Sequence, residues 1–267
     1  MKRTILVAVV CAFITAPAFA DLYFTGGYMN FDSEDGGLTY DGITYGANTL
    51  ISEYARAPGS LVETFNNVTT QLPSSNISGV SGLDQTGWQW GGGWNDVDDV
   101  ATSENGRIVQ GSVSGAYAAP YSYLTDAQDL TKYAAIPENK ASNPPRQVGV
   151  EFGADYKYLG LHWGSMDAFT GGWAQKIDLY TGGIGGTLVA TIVSPNPGDG
   201  NWTDKDTNRY VNIFLTDGLT FDSAVFQSNE YAFELDNLAV GVVPIPGAVL
   251  LGVLGLGAAG LRLRKRA

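Results

Sequence analysis

Hydrophobic and polar residues alternate with a period of two over the second half of this chain. Segment 156–163 places Leu159, Leu161 and Trp163 on one face and His162 on the other. Such alternation is typical of a β-strand, because successive side chains of a strand point to opposite faces of the sheet. The pattern therefore predicts a strand with one face directed towards a hydrophobic core.

Similar segments follow at short intervals, and no helical period separates them. Further strands are predicted at 148–152, 176–180, 187–193, 210–215, 219–226 and 231–240. A glycine-rich turn at 181–186 and Asp217-Gly218 connect neighbouring strands. Short strands at this spacing predict an all-β protein, an antiparallel β-sandwich or jelly roll, without long helices outside the terminal segments.

The first half of the chain gives a weaker signal. Short apolar segments interrupted by Asp41-Gly42 predict a hairpin. Beyond residue 66 the periodicity fades, and 141–145 is typical of a loop or linker. We therefore divide the chain into a loop-rich β part at 21–146 and a part with sandwich strands at 147–241.

The N-terminal segment has the three parts of a secretory signal peptide. Two basic residues precede an apolar run at 5–14, and Ala18 and Ala20 form an A-x-A site. We expect export through the Sec machinery and cleavage after Ala20. Because Cys11 lies in this segment, the mature chain would have no cysteine and must be stabilised without disulfides.

The C-terminal segment has the pattern of a membrane-spanning helix. Residues 247–261 carry no charge and would extend roughly 22 Å as a helix. They are followed by a basic cluster, which a bilayer holds on its cytoplasmic side. The cluster consists of Arg262, Arg264, Lys265 and Arg266.

This tail resembles the PEP-CTERM sorting signal of bacterial surface proteins. The resemblance consists of the motif Val243-Pro244-Ile245-Pro246-Gly247, the apolar segment and the basic end, with Ile245 at the usual Glu position. It implies recognition by an exosortase, a membrane protease that passes exported proteins to the cell envelope or exopolysaccharide. The alternative is a single-span anchor that no enzyme cuts.

A second resemblance covers residues 147–241. The segments 158–165, 208–212 and 231–241 are similar to the β-domain of exosortase-dependent surface proteins. This resemblance implies a location at the cell envelope rather than a particular chemistry.

The charge distribution argues against nucleic acid as a partner. The formal net charge is −12, and all 27 acidic residues lie between Asp21 and Asp236. Such a surface repels phosphate backbones and anionic headgroups, whereas it attracts divalent cations.

Two acidic segments are candidates for a structural calcium site, because oxygen ligands on loops suit Ca²⁺. The candidate ligands are Asp96, Asp98 and Asp99 in one segment and Asp199, Asp204 and Asp206 in the other. No other cofactor is expected.

Three tryptophans lie within seven residues, at Trp88, Trp90 and Trp94. Exposed rings beside acidic residues would allow stacking on sugar rings. The spacing of Trp88 and Trp90 is also that of a strand whose rings fill the core, which is the interpretation we favour.

His162 is the only histidine, so a zinc site of the usual multi-His or Cys type is excluded for the mature chain. We expect it on a strand surface. The chain as a whole is predicted to be a non-catalytic, structural or adhesive envelope protein associated with extracellular polysaccharide. A calcium-dependent carbohydrate-binding module and a secreted glycan hydrolase or lyase remain the alternatives, the latter because two carboxylates suffice for glycoside hydrolysis.

Overall fold

The structure is a computed structural model. It describes residues 22–31, 38–40, 43–45, 51–68, 81–92, 106–122, 127–136, 146–166, 174–194, 207–229 and 232–242.

The described residues form short strands in the first half and longer strands in the second. The first ten are β1 (Leu22–Phe24), β2 (Gly27–Phe31), β3 (Leu38–Tyr40), β4 (Ile43–Tyr45), β5 (Leu61–Glu63), β6 (Gln89–Gly92), β7 (Arg107–Gln110), β8 (Tyr121–Ser122), β9 (Ala127–Gln128) and β10 (Lys132–Ile136). The others are β11 (Arg146–Tyr156), β12 (Tyr158–Gly164), β13 (Gln175–Thr181), β14 (Thr187–Val193), β15 (Arg209–Leu215), β16 (Phe221–Ser228) and β17 (Phe233–Gly241).

Two antiparallel sheets form a sandwich, which confirms the predicted all-β class. The larger sheet has the order β1-β2-β15-β12-β17-β10-β7, and β5 also pairs with β17. The smaller sheet has the order β14-β13-β16-β11-β6. The predicted hairpin at Asp41-Gly42 is also present, because β3 pairs with β4 on either side of it.

The two sheets bury their apolar faces against each other. Leu159, Leu161 and Trp163 of β12 are fully buried on the inner face, as the alternation predicts. Trp163 stacks on Phe233 with ring centroids 4.6 Å apart, and its Nε1 donates to Gln175 Oε1 at 2.6 Å. This hydrogen bond joins β12 of the larger sheet to β13 of the smaller sheet, so the indole adds a polar link to the apolar packing.

Strands from both halves of the sequence build this sandwich. In the larger sheet β2 pairs with β15 and β10 pairs with β17, while in the smaller sheet β6 pairs with β11. Met29 and Phe65 share one hydrophobic cluster with Leu159 and Phe233. The two parts of the chain therefore contribute to common sheets and a common core.

Helix is nearly absent from the described part of the chain. It contains a single 3₁₀ turn, Tyr54–Arg56. No helix within the described ranges is long and apolar enough to cross a membrane. The predicted span at 247–261 and the predicted signal peptide at 1–20 lie outside those ranges.

Candidate functional site

Strand direction gives the sandwich two different ends. At the tail end, as we call it, β17 finishes at Gly241, which pairs with Tyr158 at the start of β12. The smaller sheet has the Tyr156–Phe221 pair at the same end, because only Lys157 separates Tyr156 from Tyr158. The opposite end, where β12 and β16 finish and β13, β15 and β17 begin, is called the loop end.

Both segments predicted to bind calcium connect strands at the loop end. Segment 93–105 leads from β6 to β7 and carries Trp94 and the first group, Asp96, Asp98 and Asp99. Segment 195–206 leads from β14 to β15 and carries Asp199, Asp204 and Asp206. These residues lie outside the described ranges. Because β6 and β14 are the two edge strands of the smaller sheet, the segments leave from opposite edges. Within the described ranges, no group of three or more His, Cys, Asp or Glu residues could hold a metal ion.

Trp88 and Trp90 belong to the core. Each side chain is only 6% exposed. The Trp88 ring lies 4.9 Å from Phe152, and the Trp90 ring lies 5.9 Å from Phe65, both edge to face. Buried ring faces cannot stack on a sugar, which corrects the glycan-contact prediction for these two residues and agrees with the core interpretation.

The predicted processing residues lie outside the described ranges as well. They are Ala18 and Ala20 at the signal cleavage site, Val243, Pro244, Ile245, Pro246 and Gly247 of the sorting motif, and Arg262, Arg264, Lys265 and Arg266 of the basic tail.

A cavity of about 410 Å³ opens at the tail end of the smaller sheet. It is lined by Gly87, Gln89, Glu151, Gly153, Ala154, Asp155, Gly183 and Asp222. This volume falls in the range of small-molecule sites. The described residues of its lining are rich in oxygen acceptors and include no aromatic side chain.

Two carboxylates of the cavity are fixed by the turn between β13 and β14. Asp222 accepts hydrogen bonds from the backbone N–H groups of Gly182 at 2.7 Å and Gly183 at 2.9 Å. Glu151 Oε1 accepts from Ile184 N at 3.1 Å. Gly183 has a φ of +81°, and a Cβ there would lie 2.9 Å from Glu151 Oε1, so only glycine fits this wall without a shift. The arrangement presents acceptors that suit hydroxyl or ammonium groups of a ligand.

The sequence pattern could not have found this cavity. Gln89, Glu151, Asp155 and Asp222 are distant in sequence and meet because β6, β11 and β16 are neighbours in the sheet. The one local signal was the glycine-rich turn at 181–186, which shows that the backbone bends there without showing what it contacts.

His162 is fully buried, although the sequence analysis expected a strand-surface position. It does point away from the inner face, between Tyr210 of β15 and Asp236 of β17 in the register of the sheet. Neither ring nitrogen has a hydrogen-bond partner in the structure. Burial lowers the pKa of His162 to about 3, so the ring is neutral at ordinary pH.

His162 is buried because two segments cover the outer face of the larger sheet. Near the tail end, Ile51 and Ala55 pack against Tyr158 and Phe214. Nearer the loop end, Ala119 packs in a second cluster on Tyr133 and Ala135 of β10. The face of the larger sheet that the alternation predicts to point outward is therefore buried in the folded protein.

The described residues of the second covering segment, 111–122 and 127–131, are attached through buried polar side chains. Ala118 N donates to Glu234 Oε1 at 2.9 Å, and Tyr121 N donates to Asn208 Oδ1 at 3.1 Å.

Asp236 provides a further attachment, because its Oδ2 accepts from Thr131 Oγ1 at 3.3 Å. Burial, and next the neighbouring Asp129, raise the pKa of Asp236 well above its usual value. A carboxyl group in this setting favours its neutral form. The polar layer thus holds the cover on the sheet, which is a structural role.

Comparison with known proteins adds no assignment. No protein-family model matches the chain, and a comparison with curated proteins finds no match.

Proposed function

We propose that this chain is an exported protein of the bacterial cell envelope whose tail is an exosortase sorting signal. The position of the fold between the two predicted cleavage sites carries the proposal. The first strand begins at Leu22, two residues after Ala20, and the last strand ends at Gly241, two residues before Val243. Cleavage at both sites would therefore leave all the described strands intact.

The proposed role is structural or adhesive and non-catalytic. The Sec machinery and an exosortase are the proposed processing partners, and the apolar tail anchors the chain in the membrane until it is processed. The mature protein is proposed to lie within extracellular polysaccharide. Because the only cysteine, Cys11, lies in the predicted signal peptide, the mature chain would have none. This suits a fold stabilised by core packing such as the stacking of Trp163 on Phe233.

Mass spectrometry of the protein isolated from the cell surface tests the proposal. We expect an N-terminus at Asp21 and a C-terminus within 244–247. Replacing both Pro244 and Pro246 by Ala should retain the tail, whereas Asp217→Asn, an exposed turn residue, should be processed normally. A surface protein that still ends at Ala267 would contradict processing, and an uncleaved cytosolic protein that starts at Met1 would contradict export.

The cavity supports a second candidate function, the binding of a saccharide. Its volume suits one or two sugar units, and Gln89 and Asp155 add acceptor groups to the fixed carboxylates. We expect Asp155→Asn and Gln89→Ala to weaken binding to a matrix oligosaccharide about tenfold, the equivalent of roughly 1.4 kcal/mol. Asp217→Asn is the matched control. Equal binding by all variants in titration calorimetry would exclude this cavity as the site.

A further inference from the structure

The last strand is held in the sheet up to its final residue. Gly241 pairs with Tyr158, and its carbonyl oxygen accepts from Lys157 N at 3.1 Å. On one side β17 pairs with β12, and on the other it pairs with β10 and β5. The tail therefore leaves from an interior strand, with β12 on one side and the short strand β5 on the other, rather than from an edge of the sandwich.

The connection to the predicted membrane segment is short. Only residues 242–246 lie between Gly241 and Gly247, and five extended residues reach at most about 18 Å. The nine residues of β17 alone extend roughly 30 Å. A body attached at one end by a tether shorter than its own length keeps that end nearest to the attachment point.

Carboxylates outnumber the basic side chains Lys157 and Arg56 among the described residues of the tail end, which favours a hydrated position above the bilayer. Asp155 and Asp217 are exposed there, and Glu151 and Asp222 lie in the cavity. Anionic headgroups repel carboxylates. This end is thus suited to face a membrane surface without inserting into it.

We infer that, while the tail is in place, the tail end of the sandwich faces the bilayer and the loop end points away from it. The inference rests on the proposed function, since it takes 247–261 as the membrane segment. It places the cavity on the membrane side. It also assigns the outward surface to the end at which β12, β14 and β16 finish.

Energy transfer from single dyes to acceptor lipids tests this orientation. The full chain, with Cys11→Ser, would carry one introduced cysteine, either Asp217→Cys at the tail end or Val193→Cys at the loop end. Both positions are exposed. The labelled proteins are reconstituted in vesicles of phosphatidylethanolamine and phosphatidylglycerol that contain an acceptor dye on the headgroups.

We expect transfer from position 217 to exceed that from position 193 roughly twofold or more, because the two labels differ in height by nearly a strand length. A second tail-end label, Asp155→Cys, should also give more transfer than position 193. Equal or reversed transfer in protein that floats with the vesicles would overturn the proposed orientation without contradicting the membrane-spanning tail. Failure of every labelled chain to float with vesicles would overturn the membrane tail and the orientation with it.

Discussion

The two faces of the larger sheet are both buried, but they are built from different chemistry. The inner face presents Leu161 and Trp163 to the smaller sheet, in a cluster composed of hydrophobic side chains. The outer face presents His162, Asn212 and Asp236, all with no exposed surface, beneath two covering segments. The same strands therefore contribute to an apolar interior and to one that combines hydrophobic packing with buried polar side chains.

This difference teaches that alternation identifies the two faces of a sheet but does not show whether the second face is covered. The inner face should respond mainly to the size of its side chains, since its stability comes from packing. The outer face should respond mainly to pH and to lost hydrogen bonds, since buried polar groups are costly when charged or unpaired.

The largest expected effect is an acid instability caused by His162. Its folded-state pKa of about 3 lies below the unfolded value of about 6.5, so its stabilising contribution is complete above pH 6.5 and is lost as the pH falls towards 3. The loss amounts to roughly 5 kcal/mol at pH 3.

His162→Gln does not titrate and should lose less stability than the parent protein between pH 6.5 and pH 4 in denaturant unfolding. Comparison with the parent at each pH removes the contributions of the carboxyl groups that share this range, including Asp236 and Glu63. Parallel pH profiles of the two proteins would show that the buried ring does not resist protonation.

The second-largest effect is expected from truncating a buried side chain on the inner face. Trp163→Ala removes a fully buried indole, its stacking on Phe233 and its hydrogen bond to Gln175. We expect a loss of about 4 kcal/mol in the free energy of unfolding, with little dependence on pH. Leu188→Ala on the edge strand β14, where the side chain is 52% exposed, is the control and should change stability by less than about 0.5 kcal/mol. Similar losses from both variants would contradict the core position of Trp163.

Glu63 should make the protein less stable as the pH rises towards and above neutrality. Burial raises its pKa to about 7 even though it accepts hydrogen bonds from Phe65 N and Gln85 N. The folded-state value exceeds the unfolded one, so the contribution is complete below about pH 4.5 and is lost as the pH rises through 7. The loss is about 3 kcal/mol.

Glu63→Gln loses one hydrogen bond and should be less stable than the parent protein at pH 4.5, but its stability should decline less between pH 4.5 and pH 7. Thermal or denaturant unfolding across this range measures the slope directly. An unchanged slope would exclude Glu63 as the titrating group.

The smallest effect is expected from a single outer-face hydrogen bond. Tyr158 donates its hydroxyl to Asn212 Oδ1 at 2.8 Å in a fully buried position. Tyr158→Phe keeps the ring and should cost about 1 kcal/mol. Asn212→Ala in the same background should then cost less than it does in the parent protein, and full additivity of the two changes would contradict their coupling.

The sequence allowed the second half of the fold to be predicted because its strands are long and alternate regularly. The inward positions Leu159, Leu161 and Trp163 were identified in this way, and all three are fully buried. The strands β5, β6 and β7 are three or four residues long, too short for a period to be recognised. Their places depend on pairing with distant strands, which no local pattern encodes.

The same limit applies to the site. The covers over His162 and the cavity beside Asp155 arise from contacts between segments far apart in the chain. By contrast, the sorting tail and the signal peptide could be predicted from short stretches of sequence, because charge and hydropathy within each stretch are sufficient. Both assignments remain predictions.

The interior position of β17 also determines how the fold would bear a mechanical load. Tension on the tail acts along the axis of this strand, whereas its hydrogen bonds to β12, β10 and β5 run across that axis. Pulling must therefore shear several bonds together instead of opening them one after another. If the proposed membrane tail is attached to this strand, the fold would be suited to withstand tension on that tail.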